Sequence, residues 1–70
     1  MLTQRQKELL DFMLLYKGLN GVYPSYAESA KALKLKSRSG VHRLTLKLEE
    51  RGYIKRIPNR ARAVEVIKYG

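Results

Sequence analysis

The stretch Ser37-Arg38-Ser39-Gly40-Val41-His42-Arg43-Leu44-Thr45-Leu46-Lys47-Leu48-Glu49-Glu50-Arg51 constrains this chain more than any other. Val41, Leu44 and Leu48 recur at helical spacing, so one side of the segment faces a core. Ser37 is the expected N-cap, because its hydroxyl can accept from an N–H of the first helical turn. Gly52, directly after Arg51, suits the left-handed residue that closes a helix. The opposite stripe carries Ser39, His42, Arg43 and Leu46, with Lys47 beside it. Its front is small or polar, rich in hydrogen-bond donors, and has one large hydrophobe. Such a face fits a major groove, where donor and acceptor patterns distinguish the base pairs. A recognition helix over residues 38–51 is therefore expected.

Little else can stabilise a chain of this size. With 70 residues it buries about 60% of its unfolded surface and is one domain at most. It has no cysteine and no dense His/Asp/Glu cluster, so neither disulfides nor structural zinc are available. At 44% hydrophobic residues, the core must come from packed helices. The longest apolar run, Phe12 to Tyr16, is far too short to span a bilayer, and nothing resembles a signal peptide. A cytoplasmic, nucleoid-associated protein with no membrane partner is expected.

Two further helices precede the central stretch. Thr3 and Gln6 have capping-box spacing, and Leu9, Phe12, Met13 and Tyr16 follow at i, i+3, i+4 and i+7, predicting a helix over 4–17. Leu10 adjoins that face, whereas Leu14 and Leu15 do not fit it well. Gly18-Leu19-Asn20-Gly21 is expected to end the helix. Pro24, with Ser25 and Glu28 again at capping-box spacing, opens a second helix over 26–33, packed through Ala27, Ala30 and Leu33. Lys34-Leu35-Lys36 is then a tight connection with Leu35 turned inward. Two helices so joined, the second donor-rich, match a helix-turn-helix.

After Gly52 the period changes. Residues 53–57 and 62–67 predict two short strands, with Tyr53, Ile54, Val64 and Val66 in the core. Pro58-Asn59-Arg60-Ala61-Arg62 reads as the loop between them. The expected fold is mainly α with a small β-hairpin, a three-helix winged helix-turn-helix spanning residues 1–70 as one domain.

The net charge of +9 lies entirely in one segment. Residues 31–62 hold eleven Lys and Arg against Glu49 and Glu50, while the remainder balances four against four. A bias so confined is the footprint of a polyanion partner. Arg43 is the expected base reader, since a guanidinium pairs bidentately with guanine O6 and N7, with a phosphate contact as the alternative. His42 is either a donor to base or phosphate, or a solvated helix residue. No second ligand stands near it at i+3 or i+4, so no metal is expected. Gly40 costs about 1 kcal/mol of helix propensity relative to alanine. Backbone approach to DNA accounts for it better than close helix packing. Ser37 and Ser39 lie at a helix start, where N–H groups hold phosphate. Ser25, Tyr26, Lys36, Arg38 and Lys47 are expected on backbone phosphate, and Asn59, Arg60 and Arg62 at the wing tip on a neighbouring groove or phosphate.

Catalysis is not expected. Glu49 and Glu50 are adjacent on a helix and diverge, and the chain has no Ser/His/Asp order, phosphate-binding glycine loop or metal cluster. No cofactor is implied. The competing reading is a protein-interaction regulator, an anti-repressor or a polymerase or repressor partner, using exposed Leu14 and Leu15. Single-strand or RNA binding is disfavoured, because the tyrosines and the phenylalanine do not gather on one basic sheet.

The chain resembles the DNA-binding domain of the LexA repressor family over nearly its whole length. The likeness is carried by Leu2-Thr3 with Arg5-Gln6, and by Gly21 with Pro24-Ser25 and Glu28. It continues in Ser37 to Leu44, in Leu48-Glu49-Glu50-Arg51-Gly52-Tyr53-Ile54 and in Pro58 to Val66. Its Ser-Gly-Val-His-Arg segment is similar to a branch whose operators are built from GTTC-like half-sites. The resemblance implies a repressor of DNA-damage (SOS) genes, or of phage or mobile-element genes, that occupies a double-stranded operator. Carried over by position, its base contacts are Ser37, Ser39, Gly40, His42 and Arg43. Full-length members add a C-terminal domain that dimerises and cleaves its own linker with a serine–lysine dyad. These 70 residues contain none of it, so self-cleavage and strong dimerisation are not expected of them. A weak homodimer, or a second copy on an adjacent half-site, is. The chain is either a free-standing regulator or a domain of a longer protein.

Overall fold

Each helix begins where a side chain supplies the hydrogen bonds that a helix start lacks, or where a turn forces it to. The computed structural model describes residues 2–59, 62 and 64–69. The described residues form helices α1 (Gln4–Asn20), α2 (Tyr26–Ala32) and α3 (Arg38–Glu50), then strands β1 (Ile54–Arg56) and β2 (Val64–Val66). Both expected capping boxes are present. Thr3 Oγ1 accepts from the Gln6 N–H at 3.2 Å while the Thr3 N–H donates to Gln6 Oε1 at 3.0 Å. Ser25 and Glu28 repeat the pattern at 3.2 and 2.8 Å.

α1 ends three residues later than expected, α2 and α3 each end one residue earlier, and Gly52 is the left-handed residue expected after α3. α1 runs through Gly18 to Asn20, because the left-handed residue is Gly21 (φ 78°), whose N–H donates to Lys17 O at 2.8 Å. α2 stops at Ala32, with Lys34 taking the left-handed position (φ 58°); the Lys34 and Leu35 N–H groups close the helix onto Lys31 O and Ala30 O. α3 closes in the same double fashion at Gly52 (φ 81°), whose N–H reaches Glu49 O while the Tyr53 N–H reaches Leu48 O.

The core collects Leu9, Leu10, Met13, Ala30, Leu33, Val41, Leu48, Ile54 and Val64, with Phe12, Leu35, Leu44, Tyr53 and Val66 packed around it. Ala27 is exposed instead of packed. The inward arc of α2 is Tyr26, Ser29, Ala30 and Leu33, spaced i, i+3, i+4 and i+7, and Ala27 falls outside it. Thr45 is fully buried on α3 and satisfies its hydroxyl by donating to Val41 O at 2.8 Å. α3 packs against both α1 and α2, and the hairpin covers α3 and α1.

The strands pair antiparallel with Ile54 opposite Val66, Lys55 opposite Glu65 and Arg56 opposite Val64. They are shorter than expected: Tyr53, Ile57, Arg62 and Ile67 lie outside the ladder, although Tyr53 O accepts from the Ile67 N–H at 2.9 Å. Ile54 and Val64 point inward while Lys55 and Glu65 remain exposed, so the hairpin is held through one face.

Candidate nucleic-acid interface

The outward face of α3 is built by default, since Val41, Thr45 and Leu48 commit the other side to the core. Ser39, His42, Arg43, Leu46 and Lys47 are all exposed, as are Ser37, Arg38 and Lys36 leading into the helix. Leu46 is 37% exposed, so it borders the face without making it hydrophobic. Among the described residues, Lys36, Arg38 and Arg43 have no carboxylate partner. Lys47 reaches Glu50 at 3.9 Å, with both side chains largely in solvent.

Ser37 occupies the N-cap position, yet its side chain makes no capping hydrogen bond. Its hydroxyl lies 2.6 Å from that of Ser39, and this pairing replaces the expected cap. Among the described residues, no side chain caps the first-turn N–H groups of α3, at the positive end of the helix.

Gly40 is half-buried, and a Cβ placed there would meet Leu35 Cδ1 at 3.3 Å. The missing side chain thus faces the α2–α3 turn and the end of the Leu35 side chain, which can yield to a methyl group but not to a larger one. A base contact from Gly40 is left to its backbone.

The start of α2 lies beside this face. The Tyr26 and His42 rings are 6.0 Å apart and tilted at 57°. Tyr26 also lines a groove with Glu49, Arg56, Ile57, Pro58 and Asn59, so the hairpin's first limb flanks the same surface. Asn59 is exposed and left-handed (φ 65°). Arg60, expected at the wing tip, lies outside the described residues.

Arg62 does something the sequence did not suggest. Its guanidinium donates to Glu28 Oε1 at 2.6 Å and to Tyr23 O at 3.0 Å. Glu28 also accepts from Tyr16 Oη at 2.8 Å and from the Ser25 N–H at 2.8 Å. With Arg62 as the largest influence, these donors hold the Glu28 carboxyl at about 2, well below its ordinary 4.5. Arg56 makes a parallel link on the other limb, its Nε donating to Glu49 Oε1 at 2.8 Å. Nothing in the sequence marks Glu28, Glu49 and Arg56 as tertiary partners, because pairs 7 to 34 residues apart have no short-range signature.

The description "LexA DNA binding domain" belongs to the family model that matches residues 1–63. The chain belongs to the LexA DNA-binding domain family. Its relatives include the LexA repressor of Novosphingobium aromaticivorans, 56% identical over 97% of this chain and 29% of that protein. The LexA repressors of Cereibacter sphaeroides and Zymomonas mobilis are 53% and 54% identical, again over 97% of this chain and 30% and 31% of theirs. The chain thus spans under a third of the LexA proteins it matches.

Proposed function

We propose that this LexA-family chain is a sequence-specific double-stranded DNA-binding domain of a transcriptional repressor, with α3 in the major groove. The observation that carries this reading is the α3 face: exposed Ser39, His42 and Arg43, preceded by Lys36 and Arg38, which have no carboxylate partner among the described residues. Ser37, Ser39, His42, Arg43 and the Gly40 backbone read base edges, with Arg43 forming the bidentate contact to a guanine. Lys36, Arg38, Lys47, Ser25, Tyr26, Asn59 and Arg60 hold backbone phosphates, which fix register. The α3 N-terminus supplies one further phosphate site. Control of DNA-damage genes, cytoplasmic location and pairing of two copies on adjacent half-sites belong to the same proposal. It assigns the domain no catalytic step.

Selection from a randomised duplex library at moderate salt tests the reading. A recurring motif that vanishes with Arg43→Ala is the expected result, and its half-site order reports how two copies assemble. Salt-sensitive retention without any motif would refute sequence reading.

The alternative, a protein-interaction regulator, needs an apolar surface away from α3. Leu14 is half-buried and contributes little, but Leu15 and Leu19 stand 62% and 75% exposed on one stripe of α1. Alanine at both abolishes regulation with DNA affinity intact if this alternative holds; unchanged regulation eliminates it.

A further inference from the structure

We infer that Arg62 is a positioning residue, which fixes the wing to the start of α2 through Glu28 and does not itself contact DNA. The inference rests on the proposed function above and assigns Arg62 a different task from the one its basic, wing-tip sequence context suggests.

Both Nη atoms of Arg62 are directed at Glu28, at 2.6 Å to Oε1 and 3.5 Å to Oε2, and Nη1 also reaches Tyr23 O at 3.0 Å. The guanidinium carbon lies 5.8 Å from the centroid of the Tyr16 ring, and that tyrosine's hydroxyl donates to the same carboxylate at 2.8 Å. Glu28 is in addition the N3 residue of the α2 capping box, so a further hydrogen bond, from the Ser25 N–H, orients its carboxylate. A guanidinium held by a carboxylate, a carbonyl and a ring is anchored toward the protein and does not reach outward as a phosphate ligand must.

The rest of the hairpin explains why an anchor is needed. Its ladder is three residues per strand, and a two-stranded ribbon of that length does not hold its own direction. The first limb is tied to α3 by Arg56, whose side chain and backbone N–H both donate to Glu49 at 2.8 and 3.4 Å. Arg62 ties the second limb to α2. One arginine from each limb thus joins a carboxylate on each helix of the helix-turn-helix, and the tip around Pro58-Asn59 takes its aim from the two pairs. Glu28, where Arg62 docks, lies in the first turn of the helix whose Tyr26 meets α3 at His42.

Substituting Glu28 separates anchor from ligand, because the two roles give opposite signs. Full-length chains carrying Glu28→Gln, Arg62→Ala, Arg62→Lys or the Glu28→Gln/Arg62→Ala pair are titrated against a duplex recovered from the randomised library, across a salt series, with hydroxyl-radical footprints of the flanks. Glutamine keeps the N3 capping function, and a melting curve for each variant verifies the fold. Glu28→Gln is expected to weaken binding roughly two- to fivefold, the scale of one partly exposed ion pair, although it removes a negative charge. Arg62→Ala and Arg62→Lys weaken it similarly, the double variant is no worse than either single one, flank protection fades, and the salt slope of Arg62→Ala is unchanged. Tighter binding by Glu28→Gln, or a slope reduced by about 0.9 in Arg62→Ala, overturns the inference, since each marks a released or lost phosphate contact. Wild-type protein that does not prefer the selected duplex over a scrambled one refutes the proposed function itself, and the inference with it.

Discussion

Gly40→Ala tests whether the recognition helix lacks a side chain at this position for the sake of DNA or of its own turn. Alanine raises helix propensity by about 1 kcal/mol over glycine. Against this stands one tight contact, 3.3 Å from the new methyl group to Leu35 Cδ1, with Leu35 Cβ and Cδ2 at 3.8 and 3.9 Å. Leu35 is half-buried and Cδ1 is the end of a flexible side chain, so relief by a small χ adjustment costs about 0.5 kcal/mol. The net is a stabilisation of about 0.5 kcal/mol, a rise in Tm of roughly 2–4 °C for a domain of this size. Gly40→Leu has no such room and destabilises by about 1–3 kcal/mol through overpacking. Thermal melting followed by circular dichroism reads both, and affinity for the selected duplex is expected to stay within about threefold for Gly40→Ala, under 1 kcal/mol of binding energy. A loss of more than about 1 kcal/mol of stability by Gly40→Ala would refute the packing estimate. A tenfold loss of affinity in a fully folded Gly40→Ala would return the position to the DNA.

Ser29 is 1% exposed and its Oγ is the buried side-chain oxygen that lacks a hydrogen-bond partner among the described residues, so Ser29→Ala is expected to stabilise by about 1 kcal/mol in chemical denaturation. An unchanged or lower midpoint would show that the hydroxyl is satisfied. Lys34 carries a left-handed backbone (φ 58°) at the α2 closure, and Lys34→Gly removes a Cβ clash of about 1 kcal/mol, offset in part by the greater freedom of glycine in the unfolded chain. A small rise in Tm is expected, whereas Lys34→Val, β-branched at the same φ, lowers it. Because the folded Glu28 carboxyl sits at about 2 against an ordinary 4.5, its stabilising effect is complete above 4.5 and fades as pH falls toward 2. Melting as a function of pH is therefore expected to show the wild type losing its advantage over Glu28→Gln across that window; a constant difference from pH 5 to 2 would contradict the Arg62 anchor.

Local patterns in this chain were legible and long-range pairings were not. Both capping boxes follow from residues three apart, and the inward faces of α1 and α3 from a helical period, so Leu9, Met13, Val41 and Leu48 fell where expected. Gly18 misled because glycine marks a helix end only when the chain needs a left-handed residue there, and Gly21 met that need three residues later. Ala27 misled because a run of small residues hides the phase of the buried arc. Ser37 carries the sequence of a cap, but its neighbour Ser39 offers a competing partner at 2.6 Å. Arg62 is the sharpest case: charge alone points to DNA, and the carboxylate that holds it lies 34 residues away on another element. The α3 face was legible in outline, since a helix with one committed core side leaves its other side to solvent. How the hairpin is aimed beside it depends on tertiary ion pairs, which no spacing rule reveals.

The acidic residues therefore divide by what they hold, and this yields a contrast within one dipeptide. Glu49 is half-buried and accepts two donors from Arg56, whereas Glu50 is exposed and reaches Lys47 at a loose 3.9 Å. An exposed pair at that distance contributes almost nothing to stability, so Lys47 leaves it at little cost. Glu50→Gln consequently keeps stability and is expected to tighten DNA binding by about twofold, the gain from removing one screened negative charge. Glu49→Gln removes the same formal charge but releases Arg56 and the first limb of the wing, so it weakens binding and flank protection. Fluorescence-anisotropy titrations of the two variants against the selected duplex, at one salt concentration, compare the signs directly. If both tighten binding alike, charge alone governs the interface and the wing needs no anchoring. If they diverge, the carboxylates of this basic domain serve to hold its wing in place beside a recognition helix left positively charged.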